Sequence, residues 1–201
     1  MIISELLQKI EGKHHQAKLI IFDLDGTLAE SKMNMDEEMA RLIKKLLEKK
    51  MVAVIGGGKY EQFQKQFIAV LQGRPVVDKD SRSNLLKSLF LFPTSGSVFY
   101  KYHHENWQEV YAEKLSEEEK KRIFKAFEKT FKELNYIHPA EIFGELFEDR
   151  GTQVTFSALG QEAPWPLKEK WKNEHAEDKL KIAKTMQKYL PDLEVRAGGY
   201  T

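Results

Sequence analysis

The segment Lys18–Leu28, which reads K-L-I-I-F-D-L-D-G-T-L, constrains the fold of this chain most strongly. Leu19–Phe22 is an apolar run of strand length, and an acidic, glycine-containing tip follows it directly, so we predict a buried β-strand with an acidic carboxyl end. Asp23 and Asp25 lie two residues apart, and their side chains therefore leave the strand end on the same side and repel each other. The pair predicts a site for a hard divalent cation with oxygen ligands, and Mg²⁺ is the natural occupant.

A second apolar strand is predicted over Met51–Ile55, after an intervening helix. A right-handed strand–helix–strand crossover places the glycines that follow it at the same sheet edge as Asp23. Backbone amides of Gly56 and Gly57 are candidate phosphate contacts, because glycines before a helix leave their N–H groups accessible. Lys59 at the helix start is a further candidate, although an ordinary surface lysine explains it equally well.

The D-L-D-G-T sequence directly after an apolar strand resembles the first signature motif of the haloacid dehalogenase superfamily of phosphotransferases. The resemblance implies that Asp23 attacks phosphorus as the nucleophile and that Asp25 is the general acid and base. It implies that Thr27 contacts the phosphate and that the Asp23 carboxylate and the Asp25 carbonyl help to hold Mg²⁺. The fold expected from it is α/β, with a Rossmann-like parallel-sheet core and an α+β cap that contains an antiparallel sheet.

The sequence pattern changes after Gly96 from alternating strands and helices to strands paired as hairpins. This change predicts a domain boundary, with the core in residues 1–96 and the cap in residues 97–201. In the predicted cap, two hairpin strands over 97–102 and 108–115 precede a helix that Ser116 and Glu119 open as a capping box. Two more strands are predicted near 141–148 and 152–159, then a helix that ends near Pro191, and a last strand over 193–197. This order resembles the cap of subclass IIB.

The cap run E-D-R-G-T-Q-V-T-F-S-A-L-G-Q is similar to the corresponding segment of the phosphomannomutase-like branch. The resemblance implies that Arg150 grips a phosphate of the substrate, which suits the bidentate geometry of a guanidinium. Alternation in the following strand places Gln153, Thr155 and Ser157 on one polar face that is a candidate sugar contact. A plain solvated sheet face is the alternative for each of them.

Three departures from the family pattern narrow the expected activity. Gly56 stands where the second family motif normally has a serine or threonine. Gln161 stands where phosphomannomutases have an arginine, which favours a phosphatase that binds one phosphate over a mutase that binds two. The family lysine and second acidic loop would follow the cap, but the sequence ends at Thr201 before either of them. A truncated enzyme and a natural fragment both remain open.

Composition excludes several other classes of function. The 201 residues include 32 basic and 31 acidic side chains and no cysteine, so nothing favours nucleic acid or an anionic membrane, and thiolate chemistry is ruled out. No apolar run has the length of a membrane span, and a cytoplasmic location is the expectation. The prediction is a Mg²⁺-dependent phosphohydrolase of a small phosphorylated metabolite, in the first place a sugar phosphate. A phosphomannomutase, an inactive phosphosugar-binding module, an interaction protein that recruits its missing half and a homodimer remain open.

Overall fold

A computed structural model describes residues 17–30, 33–73 and 84–198. The chain divides into two compact units, Met1–Glu113 and Lys114–Thr201. A short helix is also predicted before Gly12, where apolar residues recur at helical spacing, namely Ile2, Ile3, Leu6, Leu7 and Ile10. That segment lies outside the described residues. Among the described residues, no helix is both long and apolar enough to cross a bilayer.

The first unit is built on one sheet of five strands. These are β1 (Leu19–Asp23), β2 (Met51–Ile55), β3 (Leu89–Phe92), β4 (Val98–His103) and β5 (Asn106–Ala112), in spatial order β1-β2-β3-β4-β5. The first three strands run parallel, and β4 and β5 are added antiparallel. The predicted α/β class and its parallel core strands are confirmed. The continuous apolar runs that predicted these strands are typical of parallel strands packed within a sheet of this kind.

One face of this sheet is covered by helices. Helix α1 (Glu37–Leu47) begins at Asp36, whose carboxylate accepts a hydrogen bond of 2.7 Å from the Met39 amide. The second helical segment consists of α2 (Tyr60–Phe63), a π-helical turn (Gln64–Ile68) and α3 (Ala69–Gln72). Side chains from both segments pack against alternate strand residues, and the fully buried ones include Ile43, Phe63, Phe67, Val52, Val54, Leu89 and Leu91.

The opposite face of the same sheet carries exposed apolar side chains. Leu19 and Ile21 alternate with buried residues of β1, and Ile21 is 63% exposed. Met51 on β2 is aligned with Leu19 and is also exposed. Among the described strands β1 forms one edge of the sheet.

The predicted boundary after residue 96 is wrong, because the hairpin that was expected to open the cap belongs to the first sheet. Leu91 of β3 is paired with Tyr100 of β4, and β4 is paired with β5 along its whole length. Stacking between Phe92 and Phe99, with ring centroids 4.7 Å apart, joins the same strands. The first unit therefore continues to Glu113.

Over residues 114–198, the second unit combines a short hairpin with three helices. Its elements are α4 (Glu117–Glu133), β6 (Phe147–Asp149), β7 (Val154–Phe156), α5 (Trp165–Glu174) and α6 (Ala176–Tyr189). β6 and β7 form a two-stranded antiparallel sheet. Their apolar side chains pack against α4 and α6 around a buried cluster of Ile123, Ala126, Phe127, Met186 and Leu190. This α+β module is smaller than expected, since both strands are shorter than their predicted ranges.

The last predicted strand, over residues 193–197, is wrong. Leu193 and Val195 do turn inward to the cluster of the second unit, which accounts for the alternation in the sequence. Their backbone groups, however, bond to a side chain. The Gln187 amide donates to the Leu193 carbonyl at 2.8 Å and accepts from the Val195 amide at 3.1 Å. The side chain of Gln187 on α6 thus makes the hydrogen bonds that a neighbouring strand would otherwise make.

The predicted capping box of α4 is confirmed and provides a stability test. The Ser116 hydroxyl accepts from the Glu119 amide at 3.2 Å, and the Glu119 carboxylate accepts from the Ser116 amide at 2.7 Å. We expect Ser116→Ala to lower the free energy of unfolding by about 1 kcal/mol. Urea titration followed by circular dichroism measures this loss, and an unchanged midpoint would contradict it.

The same capping box makes part of the stability dependent on pH. The pKa of Glu119 is lowered from its ordinary value, chiefly by the bond from the Ser116 backbone and then by the Ser116 hydroxyl. A lowered carboxyl pKa contributes stability that is complete above the ordinary pKa and is lost as the pH falls through the folded value. The advantage of the unaltered chain over Glu119→Gln should therefore shrink on acidification. Urea midpoints across that range test it, and a constant difference would contradict it.

Candidate active site

Three parallel strands end at one edge of the first sheet, and the predicted site residues of this unit lie there. Asp23, the last residue of β1, is in register with Ile55, the last residue of β2. The Leu24 amide donates to the Ile55 carbonyl at 2.9 Å, and the Gly56 amide donates to the Phe92 carbonyl at 3.2 Å. The acidic tip and the glycine loop are thus neighbours, as the crossover predicted.

The acidic tip is a tight turn organised around a single carbonyl group. The Leu24 oxygen accepts from the amides of Thr27, Leu28 and Ala29 at 3.4, 3.0 and 3.0 Å. Gly26 has a positive φ of 81°, which a residue with a Cβ would resist, and its amide donates to the Ala29 carbonyl at 2.7 Å. The turn leaves Asp23 and Thr27 exposed and Asp25 half-buried at the tip.

Burial and a neighbouring charge both affect the Asp23 carboxyl at the tip. Partial burial raises the pKa of Asp23 above its ordinary value, a hydrogen bond from the Leu24 backbone lowers it, and the Asp25 charge raises it again. The net direction is upward. The ionised form of Asp23 is therefore less stable in this fold than in water, and a bound cation would stabilise it.

Two loops meet at the site through their backbones. The Gly56 and Gly58 carbonyls accept from the amides of Ser95 and Thr94 at 2.8 and 2.9 Å. Thr94, Ser95 and Gly96 all have positive φ, with values of 47°, 58° and 91°. Non-glycine residues adopt this region at a cost, and the bonds to the glycine loop help to hold Thr94 and Ser95 there.

Two glutamines of the site went unrecognised in the sequence. Gln62 on α2 donates from Nε2 to the Asp25 Oδ2 atom over 3.4 Å. Gln66, only 2% exposed in the π-helical turn, donates to the Met33 carbonyl at 2.9 Å. They stand 37 and 33 residues from their partners, and a single sequence carries no signal for pairings at that separation.

The predicted substrate residues of the second unit lie along its hairpin and the turn after it. Arg150 donates from Nε and Nη2 to the Glu148 Oε2 atom at 3.0 and 2.7 Å. The Thr155 hydroxyl donates to the Glu148 carbonyl at 3.3 Å, and Gln153 is half-buried. Ser157 is buried, and its hydroxyl donates to the Gly160 carbonyl at 2.8 Å. As substrate contacts these residues stay predictions, and Ser157 is the least accessible of them.

Comparison with known proteins identifies the family. The model of the haloacid dehalogenase-like hydrolases matches residues 20–193, which include both units. The chain belongs to the haloacid dehalogenase-like hydrolase family. The resemblance inferred from the D-L-D-G-T motif and the cap run is thereby confirmed.

Curated relatives agree with this assignment. Phosphomannomutase of Encephalitozoon cuniculi is 26% identical over 71% of this chain and 50% of its own length. Mouse phosphomannomutase 1 is 27% identical over 46% of this chain and 32% of its own length. The chain thus spans a third to a half of the curated relatives it matches.

Solved structures of Plasmodium falciparum IMP-nucleotidase share the fold. One has a TM-score of 0.56 at 16% identity and covers 88% of this chain and 42% of its own. An N-terminally truncated form with bound IMP has a TM-score of 0.54 at 15% identity and covers 96% and 51%. At this level of identity the likeness supports a Rossmann-like core with a cap.

The absence of a side chain at Gly56, a departure from the pattern of this hydrolase family, has a structural reason. Gly56 is buried, and a Cβ there would lie 3.2 Å from Phe63 Cζ and 3.3 Å from Leu24 Cβ. A hydroxyl-bearing residue would require Phe63 and Leu24 to shift by a few tenths of an ångström. Gly57 is exposed and Lys59 is half-buried at the start of α2, so their phosphate roles stay predictions.

The carboxylates of this haloacid dehalogenase-like site suit Mg²⁺ in part. Within the described ranges, no group of three or more histidine and acidic residues could hold a metal ion. Mg²⁺, however, usually keeps several waters and binds through one or two carboxylates together with substrate phosphates. The Asp23 carboxylate and the Asp25 carbonyl provide part of such a donor set, and a cation would offset the burial and the Asp25 charge that raise the pKa of Asp23. The residues therefore fit a magnesium site that is completed by water and substrate.

Proposed function

We propose that the protein is a Mg²⁺-dependent phosphohydrolase that acts on a small phosphorylated metabolite, in the first place a sugar phosphate. The observation that carries the proposal is the register of Asp23 with Ile55, which sets two carboxylates beside a glycine loop at the carboxyl edge of a parallel sheet. Family membership and the phosphomannomutase relatives support the same reaction class. Ligands of open α/β sheets bind at this edge.

Asp23 is the nucleophile in the proposed reaction. Its carboxylate oxygen attacks phosphorus, the bond from phosphorus to the ester oxygen breaks, and an aspartyl phosphate forms. The exposure of Asp23 suits an attacking group that a substrate must reach. A water molecule then attacks the aspartyl phosphate, which releases inorganic phosphate and regenerates the carboxylate.

Asp25 transfers the protons in both steps. It protonates the leaving alkoxide in the first step and takes a proton from the attacking water in the second. When bound by the Asp23 carboxylate and the Asp25 carbonyl, Mg²⁺ would neutralise charge on the phosphoryl oxygens. Thr27, the Gly56–Gly57 backbone and Lys59 are proposed to hold the phosphoryl group. Arg150 is proposed to bind a phosphate of the substrate, and Gln153, Thr155 and Ser157 are proposed to contact its sugar.

Phosphate release from a panel of phosphate esters tests the proposal. The panel contains hexose 1- and 6-phosphates and nucleoside monophosphates, each assayed with Mg²⁺ and with excess EDTA. We expect release that is fastest for one class of ester and falls to the no-enzyme rate with EDTA. A folded chain that releases no phosphate from any ester above the no-enzyme rate would contradict the proposal. Saturable phosphosugar binding in that case would favour the binding module.

Phosphomannomutase activity is the second candidate, because the curated relatives carry that name. A mutase must bind two phosphate positions in turn, and Gln161 stands where the family branch has a cation. Conversion of mannose 6-phosphate to mannose 1-phosphate without net phosphate release would favour it over hydrolysis. A cytoplasmic location and homodimer formation also stay predictions.

A further inference from the structure

The side chain of Gln62 crosses from α2 to the acidic tip. Its Nε2 atom lies 3.4 Å from the Asp25 Oδ2 atom in a half-buried position. Hydrogen bonds at active sites are often long before substrate binds. A neutral amide donor fixes the direction of a carboxyl group without adding a charge to the site.

The position of the Gln62 side chain depends on the absence of a side chain at Gly58. A Cβ built on Gly58 would lie 2.2 Å from Gln62 Oε1 and 2.5 Å from Gln62 Cδ. Gly58 does not have a positive φ, so glycine is required there for space and not for backbone conformation. The Gly58 carbonyl is fixed by the Thr94 amide at 2.9 Å, and the loop therefore keeps this passage open.

The helix that carries Gln62 is anchored to the chain segment that follows the acidic tip. Phe63 is completely buried beside it. One turn later Gln66 donates to the Met33 carbonyl at 2.9 Å, and its own carbonyl accepts from the Met35 amide at 2.8 Å. These bonds lie in the π-helical turn, a feature that is frequent at functional sites. The backbone that carries Gln62 is thus held in place beside Asp25.

We propose that Gln62 is a positioning residue for Asp25. Its amide group holds the Asp25 carboxyl in the orientation from which the carboxyl reaches the leaving oxygen and the attacking water. This inference rests on the proposed function, in which Asp25 transfers protons. Gly58 belongs to the same arrangement, because it provides the space through which the amide passes.

A double-mutant cycle on the full chain tests the contact without any need for turnover. Urea midpoints are measured for Gln62→Met, Asp25→Ala and the combined variant. We expect the shift of the combined variant to differ from the sum of the single shifts, because each single change removes the same bond. Gln64→Met is the matched control, since Gln64 is exposed on the next turn and donates to Tyr60. Additive shifts for Gln62 and Asp25 would overturn the proposal.

Steady-state kinetics test the positioning role. We expect Gln62→Met to lower kcat about 10- to 100-fold while KM changes less than about twofold, because misplacement of a reacting group acts on the transition state. Gln62→Glu, of the same shape but without the donor, should lose at least as much. Gln64→Met should keep the kcat of the unaltered chain. Coupled midpoints with an unchanged kcat in Gln62→Met would show a merely structural contact and overturn the proposal.

Gly58→Ala provides an independent route to the same result. The added methyl group displaces the Gln62 amide, so we expect it to lower kcat as Gln62→Ala does and to add nothing in the Gln62→Ala background. Full additivity of the two kcat losses would overturn the shared role. If the unaltered chain has no turnover, the proposed function fails, and the double-mutant cycle alone decides whether Gln62 fixes Asp25.

Discussion

Asp23→Asn is expected to lower the rate of phosphate release at least about 1,000-fold. An amide has nearly the shape of a carboxylate but cannot attack phosphorus, so the covalent step is lost while substrate can still enter the site. Asp23 is exposed at the end of β1, and the substitution removes a charge that the neighbouring Asp25 disfavours. The fold should therefore persist, and circular dichroism before each assay verifies it.

Asp36→Asn is the matched control for this experiment. It makes the same chemical change outside the site, at the start of α1, where the side chain accepts from the Met39 amide at 2.7 Å. Asparagine is as good a residue at that position as aspartate, and both activity and stability should stay close to those of the unaltered chain. Asp23→Asn with more than about a tenth of the original rate would exclude the aspartyl phosphate route.

Gly160→Ala is expected to cost about 3 kcal/mol or more of unfolding free energy, the largest effect on stability that we predict. Gly160 has a φ of 85°, and a Cβ there would lie 2.1 Å from the Phe143 carbonyl oxygen and 2.7 Å from its carbon. Backbone atoms cannot move aside as a flexible side chain can. The contact must therefore break the bonds that join this turn to the segment around Phe143, including the 2.9 Å bond from the Phe143 amide to the Leu159 carbonyl.

Gly151→Ala separates the effect of the contact from that of the backbone angle. Gly151 has nearly the same φ, 82°, but a Cβ there meets nothing within 4 Å. Its substitution should cost only the left-handed conformation, about 1–2 kcal/mol. Tryptophan fluorescence during urea unfolding compares the two variants in a Trp107→Phe background, where Trp165 and Trp171 report on the second unit. Equal midpoints for the two variants would show that the contact is relieved at no cost.

Local sequence signals were sufficient to predict the strands that form the site. β2 has its predicted bounds, and β1 extends its predicted range by Asp23 alone. Parallel pairing of these two strands then follows from the helical crossover between them, which is the usual connection of parallel strands. The site edge was predictable because every step to it depends on neighbouring residues or on a rule that holds for most folds.

The errors concern choices between partners that local sequence does not specify. The hairpin of β4 and β5 was predicted from the sequence, but an antiparallel hairpin can join either sheet. Stacking of Phe99 on Phe92 favours its pairing with the first sheet. Val195 alternates like a strand residue, yet its amide bonds to Gln187. Gln62 was missed for the same reason, since its partner lies far away in the sequence.

The backbone bonds between the glycine loop and the loop after β3 have a consequence for protein engineering. Gly56 and Gly58 each accept from a residue that is held in the left-handed region, Ser95 or Thr94. The shape of the loop after β3 is therefore not encoded in its own residues alone, and the two loops are bonded as a pair. A chimera that takes the glycine loop from a relative should receive the residue 94–96 segment from the same donor, because a loop transplanted singly would relax away from the carboxylates.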